Sequence, residues 1–218
     1  MSVLPSSADP SIEPTTPEPT TSELTIRERT VDATLACIAR HGLAKLTVDD
    51  VAREAGCARA TIYREFGSKR ALVTAVVNAE ADRVVGALHE AAAAARSLED
   101  AVVAILVTAG REVDSHAALQ FVAAFEPGLL VPHLTFGGAD RFLAWSASRL
   151  APCFETFVPA ADTLRTAEWV TRVALVLWCS PTASATPVVL GDAESVRPFV
   201  RQFVLPGIRP GLPVRGVS

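Results

Sequence analysis

The sequence predicts an all-α fold: a three-helix helix-turn-helix unit near the N-terminus, followed by a larger helical body. Three observations carry this. Apolar residues recur at three- and four-residue steps through most of the chain. Gly and Pro mostly punctuate these runs. No alternating segment of useful length suggests a strand, and no repeat organises the chain. Half of the 218 residues are hydrophobic, which is ample for a buried core.

Residues 1–22 are rich in Pro, Ser and Thr. They hold too little apolar surface to offset ordering entropy and read as a disordered arm. A first helix begins at Leu24, with Ile26, Val31, Leu35, Ile38 and Ala39 along one face and Gly42 as its stop. Thr47 caps a second helix, with Asp50 at the return position of a capping box. Val48, Val51 and Ala52 face inward and Gly56 ends the helix. At barely two turns it must pack on neighbours. A third helix covers Ala58–Phe66, anchored by Ile62 and Phe66 and ended by Gly67. Ser68 then caps a long fourth helix reaching about Ala95, with Leu72, Val76, Val84 and Leu88 as its inner stripe.

The remainder also reads as helix. Leu98–Val113 starts behind a Ser97 cap, and Ser115–Phe125 ends at Pro127-Gly128. Gly138–Phe157 breaks near Pro152, Ala160–Ser180 stops at Pro181, and Asp192–Leu205 closes the fold with Pro198 near a start or a kink. The expected organisation is an arm (1–22), a helix-turn-helix domain (23–71), a larger helical body (72–207) and a flexible tail (208–218).

Net charge is −4, the wrong sign for a chain that coats DNA, but the distribution is uneven. Between Thr25 and Ala75 nine bases face six acids, a balance of +3, so the rest carries −7. A basic module sits on an acidic body. The apolar stretches are far shorter than the ~20 residues of a membrane span. No early Lys or Arg precedes a hydrophobic run, so a cytoplasmic protein is expected. Cys37, Cys57, Cys153 and Cys179 lack zinc-ligand spacing with each other and with the four histidines. They read as small buried hydrophobes. No cofactor is expected.

Two short helices around a tight Gly turn form a helix-turn-helix, whose second helix enters the major groove. Phosphates are bound by cations, hydroxyls and helix N-termini. Thr47, Tyr63, Ser68 and Lys69 offer these. Base edges need donors on the groove-facing side, and Arg59 and Thr61 are placed to supply them.

The run Thr47-Val-Asp-Asp-Val-Ala-Arg-Glu-Ala-Gly56, continued by Cys-Ala-Arg-Ala-Thr61-Ile-Tyr63-Arg-Glu-Phe66-Gly-Ser-Lys69, resembles the TetR family of bacterial repressors. The resemblance implies phosphate contacts from Thr47, Tyr63 and Lys69. It places Arg59, Ala60, Thr61 and Arg64 on or near the groove face of the recognition helix. It further implies double-stranded DNA with a near-palindromic operator as partner, a helical ligand-binding domain, and a homodimer built by the last two helices. Two positions depart from the pattern: Ala58 where the family often has a capping Ser, and Arg70 where it often has an acid. The run from Pro132 to Arg141, the tryptophan helix and the segment Phe203-Val-Leu-Pro-Gly207 also look like actinobacterial members associated with fatty-acid, alkane or lipid-export genes.

The body shows no G-x-S-x-G elbow, no Gly-rich phosphate loop and no metal-ligand spacing, so it is not expected to be an enzyme. It has an apolar surplus. Core packing accounts for most of Leu106, Phe121, Phe125, Phe142, Trp145 and Trp178. The resemblance implies that some of them line a cavity for a hydrophobic, acyl-like effector, with Arg111, His116 and Gln120 orienting its head group. Two other readings stand beside this one. One is a lipid-binding sensor whose helix-turn-helix no longer reads DNA, which the Ala58 departure favours. The other is a redox sensor acting through Cys57 in the turn.

Overall fold

The computed structural model describes residues 24–134, 136–179 and 188–208. The expected arm, all but the first residue of the expected tail, and the Pro181 stop lie outside the described residues. Among the described residues every regular element is a helix, and none of these helices is long and apolar enough to cross a membrane.

Helix α1 spans Ile26–His41. It starts two residues later than the periodicity suggested, because Thr25 is the cap. The Thr25 hydroxyl accepts the Glu28 N–H at 3.2 Å and the Glu28 carboxylate accepts the Thr25 N–H at 2.8 Å, a complete capping box. The buried face of α1 is also more polar than expected, because Thr30 and Thr34 join Ala33, Cys37 and Ile38 inside. Each threonine hydroxyl donates to the carbonyl one turn back, at 2.7 Å, so neither is left unpaired.

Helices α2 (Val48–Glu54) and α3 (Arg59–Phe66) pack at the turn around Gly56. Thr47 caps α2 by accepting the Asp50 N–H at 3.1 Å. The expected return bond takes a different form. The Asp50 carboxylate accepts the Thr47 hydroxyl at 2.5 Å, because the short Asp side chain lies next to that hydroxyl. Ala58 caps α3 with no side-chain bond. Helix α4 (Lys69–Ala93) begins where the Ser68 hydroxyl accepts the Ala71 N–H at 3.1 Å.

The core falls into two clusters joined by α4. Leu72 and Val76, in its first turns, pack with Val51, Ile62 and the buried face of α1. Leu88 and Ala92, near its end, pack with Leu106, Phe154, Val170 and Val200 of the body. The first cluster is completed from the body itself: Ala118 and Val122 of α6 (Ala117–Phe125) are buried in it.

Helix α5 (Leu98–Ser115) begins at the expected Ser97 cap. Helix α6 ends at Phe125, before Pro127-Gly128, as expected. The chain turns at Glu126 and α7 (Pro127–Leu134) starts at once, since proline at a first helical position lacks only an N–H that would have no intrahelical partner. Helix α8 (Phe136–Leu150) runs into a 3-10 turn over Ala151–Phe154, so the Pro152 break is a tightening of the helix. Helix α9 covers Thr163–Cys179. The final segment is α10 (Ala193–Phe199), which contains Pro198, a π-helical turn over Val200–Val204, and α11 (Leu205–Ile208).

The last segment is held on α5 at two points. Arg197 and Arg201 pair with Glu99, and Arg197 also with Asp100, at 2.8–3.1 Å. At the other end Gly110 lies against the backbone of Leu190 and Gly191, so close that a methyl group at residue 110 would overlap it.

Candidate nucleic-acid interface

Helix α3 is tied to the core by Ile62, which is 2% exposed, with Phe66 half-buried behind it. One anchoring face leaves the rest of the helix free. Arg59, Ala60, Tyr63 and Arg64 are exposed and Thr61 is half-buried. Ser68 and Lys69, at the start of α4, are exposed beside them in sequence. Among the described residues Arg64, Lys69 and Arg70 form no ion pair.

Other cations of the module are engaged. Arg27 pairs with Glu65 at 3.3 Å and its guanidinium lies 4.9 Å from the centre of the Phe66 ring. Arg40 pairs with Glu54, and Arg53 with Asp50 at 3.1 Å. Arg59 donates through Nη1 to both carboxylate oxygens of Asp49, at 3.2 and 3.1 Å, and through Nη2 to the Tyr63 hydroxyl at 3.3 Å. That hydroxyl and the Asp49 charge push the Arg59 guanidinium further toward its protonated form. Because Tyr63 accepts from Arg59, its own hydroxyl hydrogen can still donate to a phosphate.

The expected roles divide accordingly. Thr47 is exposed, but its hydroxyl is committed to Asp50, whose carboxyl it holds below the usual range. A phosphate reaching Thr47 must displace a carboxylate. A groove between the starts of α1 and α4, of about 430 Å³, is lined by Arg27, Ser68, Arg70, Thr74 and Asn78. Arg27 and Asn78 escape the motif reading because they lie outside the helix-turn-helix proper. Their signal was the basic first turn of α1 and a polar position on the outer face of α4.

Of the expected effector residues, His116 lines one of the two grooves at α1 and α4, and the others lie elsewhere on the body. Leu106 is fully buried in the core cluster of the body. Phe121 and Phe125 form a ring pair at 4.8 Å, with Phe125 73% exposed. Phe142 and Trp145 form another at 6.2 Å, and Trp178 is half-buried on α9. The polar candidates bond to backbone or neighbours. Arg111 donates to the Gly191 carbonyl at 3.0 Å, and Gln120 to the Val113 carbonyl at 2.9 Å. His116 accepts the Leu119 N–H at 3.1 Å as the cap of α6, while its Nε2 lies 3.2 Å from Glu80. A second groove, of about 400 Å³, runs between α1, α4 and the α5–α6 turn, and of the expected residues it holds His116. Of the cysteines, Cys37 is buried, Cys57 and Cys153 are half-buried and Cys179 is exposed.

A helix-turn-helix whose second helix shows its polar face beside the N-terminus of a long helix defines a DNA-binding regulator. Residues 31–76 match the family described as bacterial regulatory proteins, tetR family. The matched stretch is most of α1, the helix-turn-helix and the start of α4, which supports a transcriptional regulator with a DNA-binding role. It is 26% identical over 186 residues to an uncharacterized HTH-type transcriptional regulator of Mycobacterium tuberculosis, covering 84% of this chain and 85% of that one. Solved structures share the fold. The TetR family repressor AlkX from Dietzia sp., implicated in biodegradation of n-alkanes, aligns with TM-score 0.61 at 18% identity, covering 86% of this chain and 97% of AlkX. The fatty acid degradation regulator FadR from Bacillus halodurans aligns with TM-score 0.54 at 19% identity, covering 73% and 85%.

Proposed function

We propose that the protein is a dimeric repressor that grips a near-palindromic operator and is released by a hydrophobic, acyl-like small molecule. The observation that carries this reading is the continuity of α4. One helix starts at Ser68 beside the exposed face of α3 and ends buried in the body, with residues in both core clusters. At about 1.5 Å per residue its 25 residues reach roughly 37 Å. A packed helix of that length moves as a lever, so a change in the body displaces the recognition helix. A ligand acts on the lever only through its differential affinity for the two settings.

The dimer face is α9 with the final segment. Val176 and Phe203 are 63% and 59% exposed, with Leu164 and Trp169 also outward. Val173 and Val200 of the same stripes turn inward to the core. A soluble chain rarely leaves such large side chains uncovered on neighbouring helices, and a twofold pairing covers them and sets two recognition helices against two half-sites. DNA binding places the protein in the cytoplasm. The acyl character of the effector rests on the apolar body and on the alkane and fatty-acid connections of AlkX and FadR.

The test is selection of the protein's own genomic fragments, followed by titration of palmitate with and without saturating operator. By linkage, operator must lower palmitate affinity by the factor by which palmitate lowers operator affinity. Equal palmitate affinity in both titrations refutes the release mechanism. A second reading, a lipid sensor that no longer reads DNA, is favoured by the missing side-chain cap at Ala58. Under it, the selection enriches no fragment while palmitate still binds.

A further inference from the structure

The pairing of Asp49 with Arg59 joins α2 to the first residue of α3 across the turn, and it places an acid on the face that meets DNA. The two side chains are 57% and 58% exposed, and an ion pair so open to water adds little to stability. Its consequence is geometric. Arginine has many rotamers, and a free Arg59 would lose them on binding. Here two Asp49 oxygens and the Tyr63 hydroxyl fix both terminal nitrogens, and the guanidinium carbon lies 5.3 Å from the centre of the Tyr63 ring. A guanidinium oriented in advance pays less to engage a base.

We propose that Asp49 is a specificity-determining positioning residue of the DNA-binding face. It holds Arg59 in the orientation that reads one base of each half-site. Its charge also opposes complexes in which only phosphates are gripped. This rests on the DNA-reading function proposed above and names how that site discriminates. With Nη1 on Asp49 and Nη2 on Tyr63, Arg59 keeps Nε–H and a further Nη2–H as neighbouring donors. Two adjacent donors match the O6 and N7 acceptors of guanine. On a wrong sequence Arg59 finds no such pair of acceptors, and the Asp49 carboxylate still meets the phosphate field. The correct sequence alone offsets that repulsion, which is how an unfavourable element sharpens a choice between partners.

The experiment is in vitro selection from a randomised duplex library by the full chain, with Asp49→Ala, Asp49→Asn, Arg59→Ala and the Asp49→Ala/Arg59→Ala double variant. Fluorescence anisotropy on the selected and a scrambled duplex then measures discrimination. Circular dichroism confirms that each variant is folded. Asp49→Ala should bind the scrambled duplex more tightly and lose preference at a single guanine position by about tenfold. Asp49→Asn, which keeps an oxygen acceptor, should retain part of that preference. The double variant should match Arg59→Ala at that position, because Asp49 acts through Arg59. An Asp49→Ala protein that selects the same motif with unchanged preference overturns the proposal, as does a double variant that loses clearly more preference than Arg59→Ala. If the unaltered chain enriches no motif, the DNA-reading function itself fails and this inference falls with it.

Discussion

The carboxylate of Glu126 accepts the backbone N–H of Leu43 at 2.7 Å, across 83 residues of sequence, and its other oxygen accepts the N–H of Ala44 at 3.1 Å. Glu126 ends α6 in the body, and Leu43 and Ala44 form the turn between α1 and α2. Gly42, buried at φ +83°, makes the approach possible, since a Cβ there would lie 2.5 Å from the Glu126 carboxylate and 2.7 Å from the Phe121 ring. The helix-turn-helix is thus bonded to the body at a point other than α4.

Glu126→Ala should lower the free energy of unfolding by about 1–3 kcal/mol, because two backbone donors lose a charged acceptor. Gly42→Ala should cost at least as much, combining a left-handed backbone with a steric conflict. Urea unfolding measures both. An unchanged midpoint for Glu126→Ala would show that water replaces the carboxylate at no cost.

For the DNA face, Lys69→Ala should weaken binding to operator and scrambled duplexes alike, because phosphate contacts carry no base information. Tyr63→Phe, which also removes a hydroxyl that holds Arg59, should weaken both and lose part of the preference at the Arg59 position. Lys69→Ala should also reduce the salt slope by about one. Arg59→Ala should instead cost ~1–3 kcal/mol of discrimination at one position. A Lys69→Ala protein with unchanged affinity and salt slope would remove Lys69 from the interface.

The proposed dimer predicts a particle of twice the 23.0 kDa chain mass by light scattering at micromolar concentration. Val176→Glu and Phe203→Glu place charge on residues already exposed in the single chain, so they should split the dimer and leave the helical content intact. Binding to a single half-site should then survive weakly while binding to the full operator collapses. A dimer that persists in both variants would place the interface elsewhere.

Acid should loosen the final segment from α5. Arg201 first, then Arg197, holds the Glu99 carboxyl below its ordinary value, and Arg197 with the Ser97 hydroxyl does the same to Asp100. A lowered carboxylate pKa means the folded state binds fewer protons than the unfolded chain in that range. The contribution is complete above the ordinary carboxylate values of 4.5 and 3.8 and is lost as pH falls through the lowered ones. Trp169, whose indole N–H donates to the Val204 carbonyl at 3.2 Å, reports on this docking by fluorescence. Glu99→Gln should remove much of the acid-sensitive step that sets in as pH falls below 4.5.

The all-α class, the helix-turn-helix and its caps at Thr47, Ser68 and Ser97 follow from the chain alone, because helix periodicity and capping are local. Each is settled within about four residues, through side chains that reach only their own turn. The exposed set Arg59, Tyr63, Arg64 and Lys69 follows too, because Ile62 can turn only one face of α3 inward. Tertiary structure decided what lies opposite each face. No spacing rule shows that Asp49 meets Arg59, that Glu126 reaches Leu43, or that Arg111 bonds to the Gly191 carbonyl. The apolar surplus of the body was equally silent on whether Leu106 lines a cavity or fills a core. Hydrophobic burial is non-directional, so one periodic pattern serves either outcome, and only the placement of partners distant in sequence separates them.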